Sequence, residues 1–520
     1  MSSNANLRQR AVVSSFICTP PNSPSGLTFA LFKRSEDVST YRGKWAVCSG
    51  SIDKTDLSPA AAAKREIIEE TGLSDNDFSL LRRGKPFSLI DSALQTEWTI
   101  HPFAWQLSPN AKDITFDWEH TEYKFVKPED LGTMDHVPQL EVGLERVMVS
   151  SKTQKALEVL RSDHESGAQA LSLKALDFLL EAARSEELAE IGSSEEYWKQ
   201  LRWRAWHLAK NGRPSMGAAI ESGILNALDE VEKHLDVLDI GSVPLARLTS
   251  VVESVISSKL EAGTANLDPI AKTFTDLLLS SITKPAADAP PPTRYEHPPP
   301  PSIHIATISA SGTIKAGLLR AIPRLIDQGQ EVKLTVLESR PNFEGASFVN
   351  TLLNHLPDDP DILTKLHIEI ISDASVASAV KDTHFVVFGG DKVIPNGDVS
   401  NKIGTFTLAA MTKLVNAECK VVALFETNKV TGSSFESEYL TVEENDPEEV
   451  IKSWPLVLQS DLYMKEELGA QVKVKNAYFE WVPAEFIDQY ITEKGLWSVD
   501  DIAKLSAEVE ERERRLFGDL

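Results

Sequence analysis

Residues 285–301 read PAADAPPPTRYEHPPPP. Proline lacks a backbone donor and fixes φ, so this stretch can be neither helix nor central strand. It is expected to be a semi-extended spacer, and any fold of the chain must break around it. A recognition segment for a proline-binding module is the alternative. At 520 residues the chain also exceeds one ordinary core, so two or three domains are expected. Up to about residue 147, short β-like runs such as LTFALF and WTIHPFAWQL surround an acidic helical segment. From about 150 to 284, apolar residues recur every three to four positions in ALSLKALDFLLEAARS, EEYWKQLRWRAWHLAKNG and PSMGAAIESGILNALDEVEKHL, the helical period. Trp198, Trp203 and Trp206 are expected to pack between those helices. No internal repeat is visible.

After the spacer, apolar runs SIHIATIS, EVKLTVLE, LHIEIIS, HFVVFGG and KVVALFE alternate with helical stretches such as TIKAGLLRAIPRLIDQG and NKIGTFTLAAMTKLVNAE. Strands apolar nearly throughout, alternating with helices, predict a parallel sheet covered on both faces. Ligands of such sheets collect beyond the carboxyl ends of the strands. That rule selects Ser309-Ala310-Ser311-Gly312-Thr313, Glu338-Ser339-Arg340, Asp373, Gly389-Gly390-Asp391 and Glu426-Thr427. Ser311, Gly312 and Thr313 open a helix, where backbone N–H groups and hydroxyls can hold a phosphate. Arg340 can add a bidentate clamp and Lys402 a point charge. An ordinary capped turn is the plainer reading of Ser-Gly-Thr.

Arg65-Glu66-Ile67-Ile68-Glu69-Glu70-Thr71-Gly72-Leu73 carries most of the chemistry in the first part. Glu66, Glu69 and Glu70 stand three and four residues apart, so a helix presents them on one face. Like charges at that spacing repel by roughly 0.2–0.5 kcal/mol per pair. A hard divalent cation turns the repulsion into a site, because Mg²⁺ favours carboxylate oxygens. Ser58 is the expected N-cap, Pro59 the first helical residue and Gly72 the left-handed C-terminus. A solvated acidic face is what such a run means when nothing accompanies it. Here GKWAVCSGSI, a short strand entering a glycine turn, precedes it.

The segment GSIDKTDLSPAAAAKREIIEETGL resembles the Nudix box. Arg65 to Leu73 match at every defined position. In the first half Asp56 stands where a glutamate is usual, and the interval to Arg65 has one extra residue. With the flanks GKWAVCSGSI, WTIHPFAWQL and DWEHTEYKFV, the resemblance covers about residues 8 to 147. It implies an α/β/α sandwich that hydrolyses a nucleoside diphosphate derivative. It further implies Mg²⁺ (or Mn²⁺) on Glu66, Glu69 and Glu70, with Arg65 orienting a glutamate and Glu66, Glu119 or Glu122 as base.

In the second half, LESRPNFEG, GGDKVIPNGDVSNKIGT and VPAEFIDQYITEKG resemble a family joining two kinds of protein. These are the regulatory subunits of translation initiation factor 2B and the aldose–ketose isomerases of methylthioribose 1-phosphate or ribose 1,5-bisphosphate. NGRPSMGAAI and DHESGAQALSLKALDFL extend the resemblance to about residues 150 to 500. It implies a site for a sugar phosphate or nucleotide built from Ser309, Ser311, Gly312, Thr313, Arg340, Asp391, Asn401 and Lys402. Asp391 matches the isomerases' aspartate, but Ser309 takes the place of their cysteine. A serine hydroxyl cannot replace a thiolate acid/base without help, and His304 lies too early on its strand to give it. The resemblance also implies a homodimer and contacts with initiation-factor subunits.

Hydrophobic content of 42% and charged content of 25% suit a soluble globular protein. A formal charge of −24 argues against unspecific nucleic-acid or anionic-membrane binding. No apolar run approaches the ~20 residues that span a bilayer, and MSSNANLRQRAVVSSF lacks a secretory core. Cys18, Cys48 and Cys419 fit neither a disulfide framework nor a metal cluster, so a cytoplasmic setting is expected. The expected class is α/β. It comprises a Nudix sandwich over 1–149, a helical subdomain over 150–284, the spacer over 285–301 and a Rossmann-like parallel sheet with helices on both faces over 302–520. The leading expectation is a Nudix pyrophosphohydrolase fused to a ligand-binding half. The alternatives are a regulatory protein of the initiation machinery with a nucleotide-sensing Nudix domain, and a sugar-phosphate isomerase.

Overall fold

In a computed structural model of the chain, residues 7–20, 26–92, 94–164, 166–236, 239–263, 266–282, 301–432, 445–460 and 472–520 are described. The spacer expected at 285–301 lies outside them apart from Pro301.

The first domain comprises β1 (Arg8–Cys18), β2 (Phe29–Arg34), β3 (Trp45–Ala46), β4 (Cys48–Ser51), α1 (Pro59–Thr71), β5 (Phe78–Arg83), β6 (Phe87–Asp91), β7 (Thr96–Leu107), β8 (His120–Val126) and α2 (Leu140–Val147). The strands run β3-β2-β1-β7-β5, with β4 on β1, β6 on β7 and β8 on β2. β1 and β7 are parallel at the centre. Alternate side chains serve opposite faces, as the strand period of two requires. Val13, Ile17, Ala30 and Phe32 join Ala62, Ala63 and Ile67 of α1 in one core layer. Phe16, Cys18, Phe29 and Leu31 join Leu140, Leu144 and Val147 of α2 in the other. Fully buried Ile67 anchors the acidic helix on the sheet, a burial worth about 1.5–3 kcal/mol.

The helical layer holds α3 (Ser151–Ser162), α4 (Ala168–Ala183), α5 (Glu186–Ala189), α6 (Ser194–Asn211), α7 (Gly217–Leu235) and α8 (Leu245–Ala262). Trp198 and Trp206 are buried in its core, and half-buried Trp203 packs beside them. The next helix, α9 (Asp268–Ser280), falls in the stretch grouped by its period with these helices. It packs elsewhere. Ile270, Phe274 and Leu278 join the core of the parallel sheet against Ile314, Leu318 and Leu325. An amphipathic period shows that a helix has a buried face, not what buries it.

The second sheet is built from β9 (Ser302–Ile308), α10 (Gly312–Asp327), β10 (Glu331–Leu337), α11 (Glu344–His355), α12 (Pro360–Lys365), β11 (Leu366–Ile371), α13 (Val376–Ala379), β12 (Phe385–Gly389), β13 (Lys392–Val393), β14 (Val399–Lys402), α14 (Thr405–Val415), β15 (Lys420–Leu424), α15 (Pro447–Ile451), β16 (Phe479–Val482), β17 (Gln489–Thr492), β18 (Gly495–Trp497) and a last helix, Val499–Phe517. The order is β11-β10-β9-β12-β15-β17-β18. All five expected strands are present and mutually parallel. β17 extends the parallel set and β18 returns antiparallel. Ile303 and Ile305 face α10 and α11, while Ala306 and Ile308 face the opposite layer with Leu408 of α14.

The stretch NKIGTFTLAAMTKLVNAE was expected to be helical throughout. Asn401 and Lys402 instead end β14, which pairs antiparallel with β13 and β16, and the helix starts at Thr405. Asn401 and Lys402 pair only with β16, about 80 residues downstream and beyond the reach of local periodicity.

The last helix ties the halves together. Ile502 lies in the sheet core, while Val509, Leu516 and Phe517 complete the core of the helical layer. Lys210 of α6 pairs with Glu221 of α7 at 2.6 Å and with Glu513 of the last helix at 2.8 Å. Arg202 donates to the Leu516 carbonyl and to both oxygens of Asp519. The first domain docks on the same layer, where Arg83 N–H donates to Asn211 Oδ1 (2.8 Å) and Asn211 Nδ2 donates back to the Arg83 carbonyl (3.0 Å). No helix among the described residues is long and apolar enough to cross a membrane.

Candidate functional site

In the first domain, Ser58 Oγ accepts from Ala61 N–H, Pro59 opens α1, and Gly72 ends it at φ 66°. Each is a local rule visible in the sequence. The three glutamates then diverge. Glu66 lies directly over the glycine turn: a Cβ on Gly50 would stand 2.0 Å from its carboxyl carbon. Glu70 is buried, 3.8 Å from His120 Nε2, and Glu69 stands at the rim with its side chain 58% exposed.

Arg65 holds this face together. Its guanidinium donates to Glu66 (2.8 Å), to Glu69 (3.2 Å), to both oxygens of Asp56 (3.1 and 2.9 Å) and to the Ser51 carbonyl (3.0 Å). Asp56 is thus the bidentate partner of Arg65. Arg65 holds the Asp56 carboxyl below the usual range.

Burial raises Glu66 above the ordinary glutamate range, against the stabilising guanidinium of Arg65. Burial pushes Glu70 well above that range. A hydrogen bond from the Cys48 thiol opposes the shift, while the charges of Glu66, Glu119 and Asp117 reinforce it. Glu119 is raised by burial and by Asp117, and its charge acts on both helix carboxylates. Of the two later candidates for base, Glu119 therefore faces α1. Glu122 is exposed and lies on β8 rather than in a loop. His120 is an addition to the expected set. It is buried between Glu70 and Asp117, 3.4 Å from the latter, and its Nδ1 has no hydrogen-bond partner. The alternating acids of DWEHTE were its only sequence signal.

These donors suit a hard divalent ion, because carboxylates crowded by burial and by each other ionise together only beside a cation. Arg65 bonds both Glu66 and Glu69, and no three His, Cys, Asp or Glu side chains among the described residues are grouped to hold an ion.

In the second half, the predicted residues lie at the carboxyl ends of β9, β10 and β12 and on β14. Ser309 follows β9 with a left-handed backbone, φ 65°, and Ser339 follows β10 with φ 61°. Such conformations cost about 1–3 kcal/mol in a non-glycine residue and cluster at functional sites. Ser309 N–H donates to Ser339 Oγ (2.8 Å), and Ser309 Oγ donates to Glu344 Oε2 (3.0 Å). Glu344 Oε1 is paired with Lys402 Nζ at 2.8 Å, and that ammonium lies over the rings of Tyr478 and Phe479. Ser311 caps α10 and exchanges a hydrogen bond with Thr313, which donates to the Leu424 carbonyl. A Cβ on Gly389 would lie 2.7 Å from Ser311 Oγ and 3.6 Å from Asn401 Oδ1, so the two side chains meet over that glycine.

Asp391 is mostly buried, 4.0 Å from Lys429. Burial raises its carboxyl against the pull of Lys429, Lys402 and Arg213, and burial lowers Lys429 in turn. Arg213 comes from the helical layer, where its guanidinium donates to the Asp163 carbonyl and to His164 Nδ1. Arg340 makes different contacts from the expected clamp. Its guanidinium donates to Glu338 (3.1 Å) and Ser453 (3.4 Å) and lies over Phe343. Glu344, Lys429 and Arg213 were missed, although Glu344 sits inside LESRPNFEG and Arg213 inside NGRPSMGAAI.

Residues 164–499 match the model of the initiation factor 2 subunit family, well over half of the chain. The chain belongs to that family. Residues 9–147 match the NUDIX domain, so one chain carries both. The ribose 1,5-bisphosphate isomerase of Methanocaldococcus jannaschii is 30% identical over 180 residues, 34% of this chain and 50% of that protein. The methylthioribose-1-phosphate isomerase of Parabacteroides distasonis is 31% identical over 173 residues, 33% of this chain and 46% of that protein. The chain thus spans about half the length of the curated relatives it matches. A solved translation initiation factor eIF-2B of Pyrococcus horikoshii aligns at 17% identity with a TM-score of 0.43, covering 67% of this chain and 97% of that one.

Proposed function

We propose that the first domain hydrolyses the pyrophosphate bond of a nucleoside diphosphate derivative with Mg²⁺ or Mn²⁺. The observation that carries this reading is the raised carboxyl pair of Glu66, seated on Gly50, and Glu70, buried behind it. Glu66, Glu69 and Glu70 would hold the ion. When bound, it neutralises phosphate oxygens and lowers the pKa of a water. Arg65 positions Glu66 and Glu69, Asp56 fixes Arg65, and Glu119 takes the proton. The full chain should release a nucleoside monophosphate from a panel of dinucleotides and nucleoside diphosphate sugars with Mg²⁺, and Glu69→Gln should not. A blank panel sinks the reading.

A second reading concerns the other half and is favoured by Asp391 beside Lys429 at the end of β12, within the field of Arg213. It is a sugar-phosphate site that interconverts aldose and ketose, as the names of the relatives suggest. Ketose formed from ribose 1,5-bisphosphate or methylthioribose 1-phosphate, lost in Asp391→Asn, supports it. Stabilisation by a sugar phosphate or nucleotide without turnover would favour a regulatory role beside initiation-factor subunits instead.

A further inference from the structure

We propose that Glu344 moves the carbon-bound proton at the second site, the task a cysteine thiol would have at position 309. This rests on the isomerase reading above. Serine lacks the acidity of a thiol, yet Ser309 is held in a left-handed backbone with its hydroxyl aimed at a carboxylate. Glu344 is 35 residues downstream of Ser309 and opens α11, so the end of β10 and the start of α11 bring it to the first strand. Its two oxygens have different partners: Oε2 takes the serine hydroxyl at 3.0 Å and Oε1 the Lys402 ammonium at 2.8 Å. Lys402 is itself buried under Tyr478 and Phe479. The ammonium and the serine hydroxyl together fix the orientation of the carboxylate.

Asp391, at the end of β12, lies 4.0 Å from Lys429 and is the second carboxyl group of the site. The chemistry balances without an oxidant or reductant. As the ring C1–O4 bond of an aldose 1-phosphate breaks, its electron pair goes to O4, which takes a proton from Asp391. Glu344 removes the C2 proton and, after exchange of its carboxyl proton with solvent, delivers a proton to C1. The C2 hydroxyl gives its proton to Asp391 as the carbonyl forms. Lys402 and Ser309 act through Glu344 and are positioning residues.

The test uses the full chain with ribose 1,5-bisphosphate and methylthioribose 1-phosphate, following ketose and deuterium uptake at C1 by NMR in D₂O. Glu344→Gln should lower kcat by about 10²–10⁴-fold with KM little changed, in a folded chain whose melting temperature falls because buried Lys402 loses its charge partner. Adding Ser309→Cys to Glu344→Gln should restore part of the turnover, because a thiol supplies its own proton transfer; a purely structural glutamate would not be rescued this way. Wild-type turnover that survives Glu344→Gln overturns the assignment alone. A wild-type chain inert toward both compounds overturns the isomerase reading, and this assignment with it.

Discussion

Gly50→Ala is the sharpest test of how the acidic helix works. The new Cβ would fall 2.0 Å from Glu66 Cδ and 2.1 and 2.3 Å from its oxygens. Ordinary contact begins near 3.4 Å, so the carboxyl group must retreat by the difference, about 1.4 Å. Arg65 already bonds it at 2.8 Å, and that bond is lost with the movement. A displacement of about 1 Å at a reacting centre costs on the order of 10²-fold, or about 2.7 kcal/mol of barrier. The overpacking costs the fold about 1–3 kcal/mol, because the obstacle is a half-buried side chain rather than backbone. The assay pairs nucleoside monophosphate release at saturating Mg²⁺ with calorimetric melting. The expected result is a folded protein with a slightly lower melting temperature and hydrolysis reduced by about 10²-fold. Undiminished hydrolysis in Gly50→Ala would show that the placement of Glu66 over the turn has no catalytic meaning.

Glu69→Gln should abolish hydrolysis and leave the melting temperature nearly unchanged, since the side chain is largely exposed. Burial raises Glu66, Glu70 and Glu119. The folded, metal-free chain therefore keeps protons that the unfolded chain has released, and its stability falls as pH rises above the ordinary glutamate range. Mg²⁺ displaces those protons, so binding should tighten with pH and release protons; calorimetry in two buffers of different ionisation enthalpy reads the count, and zero release counts against the site. Lys210→Met leaves Glu221 and Glu513 facing each other in the interior. It should destabilise the chain by about 3–5 kcal/mol in denaturant melts, and an unchanged midpoint would mean the triad is not closed in solution.

Much of this molecule is written locally, and what is not has a physical cause. The caps of α1 follow from Ser58, Pro59 and Gly72 alone. The five central strands follow from unbroken apolar runs. The last two residues of β14, Asn401 and Lys402, fell in an apparently helical stretch because their partner β16 lies far downstream. The partners of α9 were illegible for the same reason. At the first site the glutamates were evident, but not that Arg65 ties two of them to Asp56. At the second, the partner of the Ser309 hydroxyl was not legible along the chain, because Glu344 comes from the start of the helix that follows the neighbouring strand.

The last helix gives the chain a timetable. Arg202 and the Leu516 carbonyl that it binds are separated by 314 residues. At about 5–20 residues per second on the ribosome, the helical bundle waits roughly 15–60 s for its final member. Throughout that interval the groove that will receive Val509, Leu516 and Phe517 stands open. The nascent chain must be shielded there, and two separately expressed halves would inherit the same wound permanently.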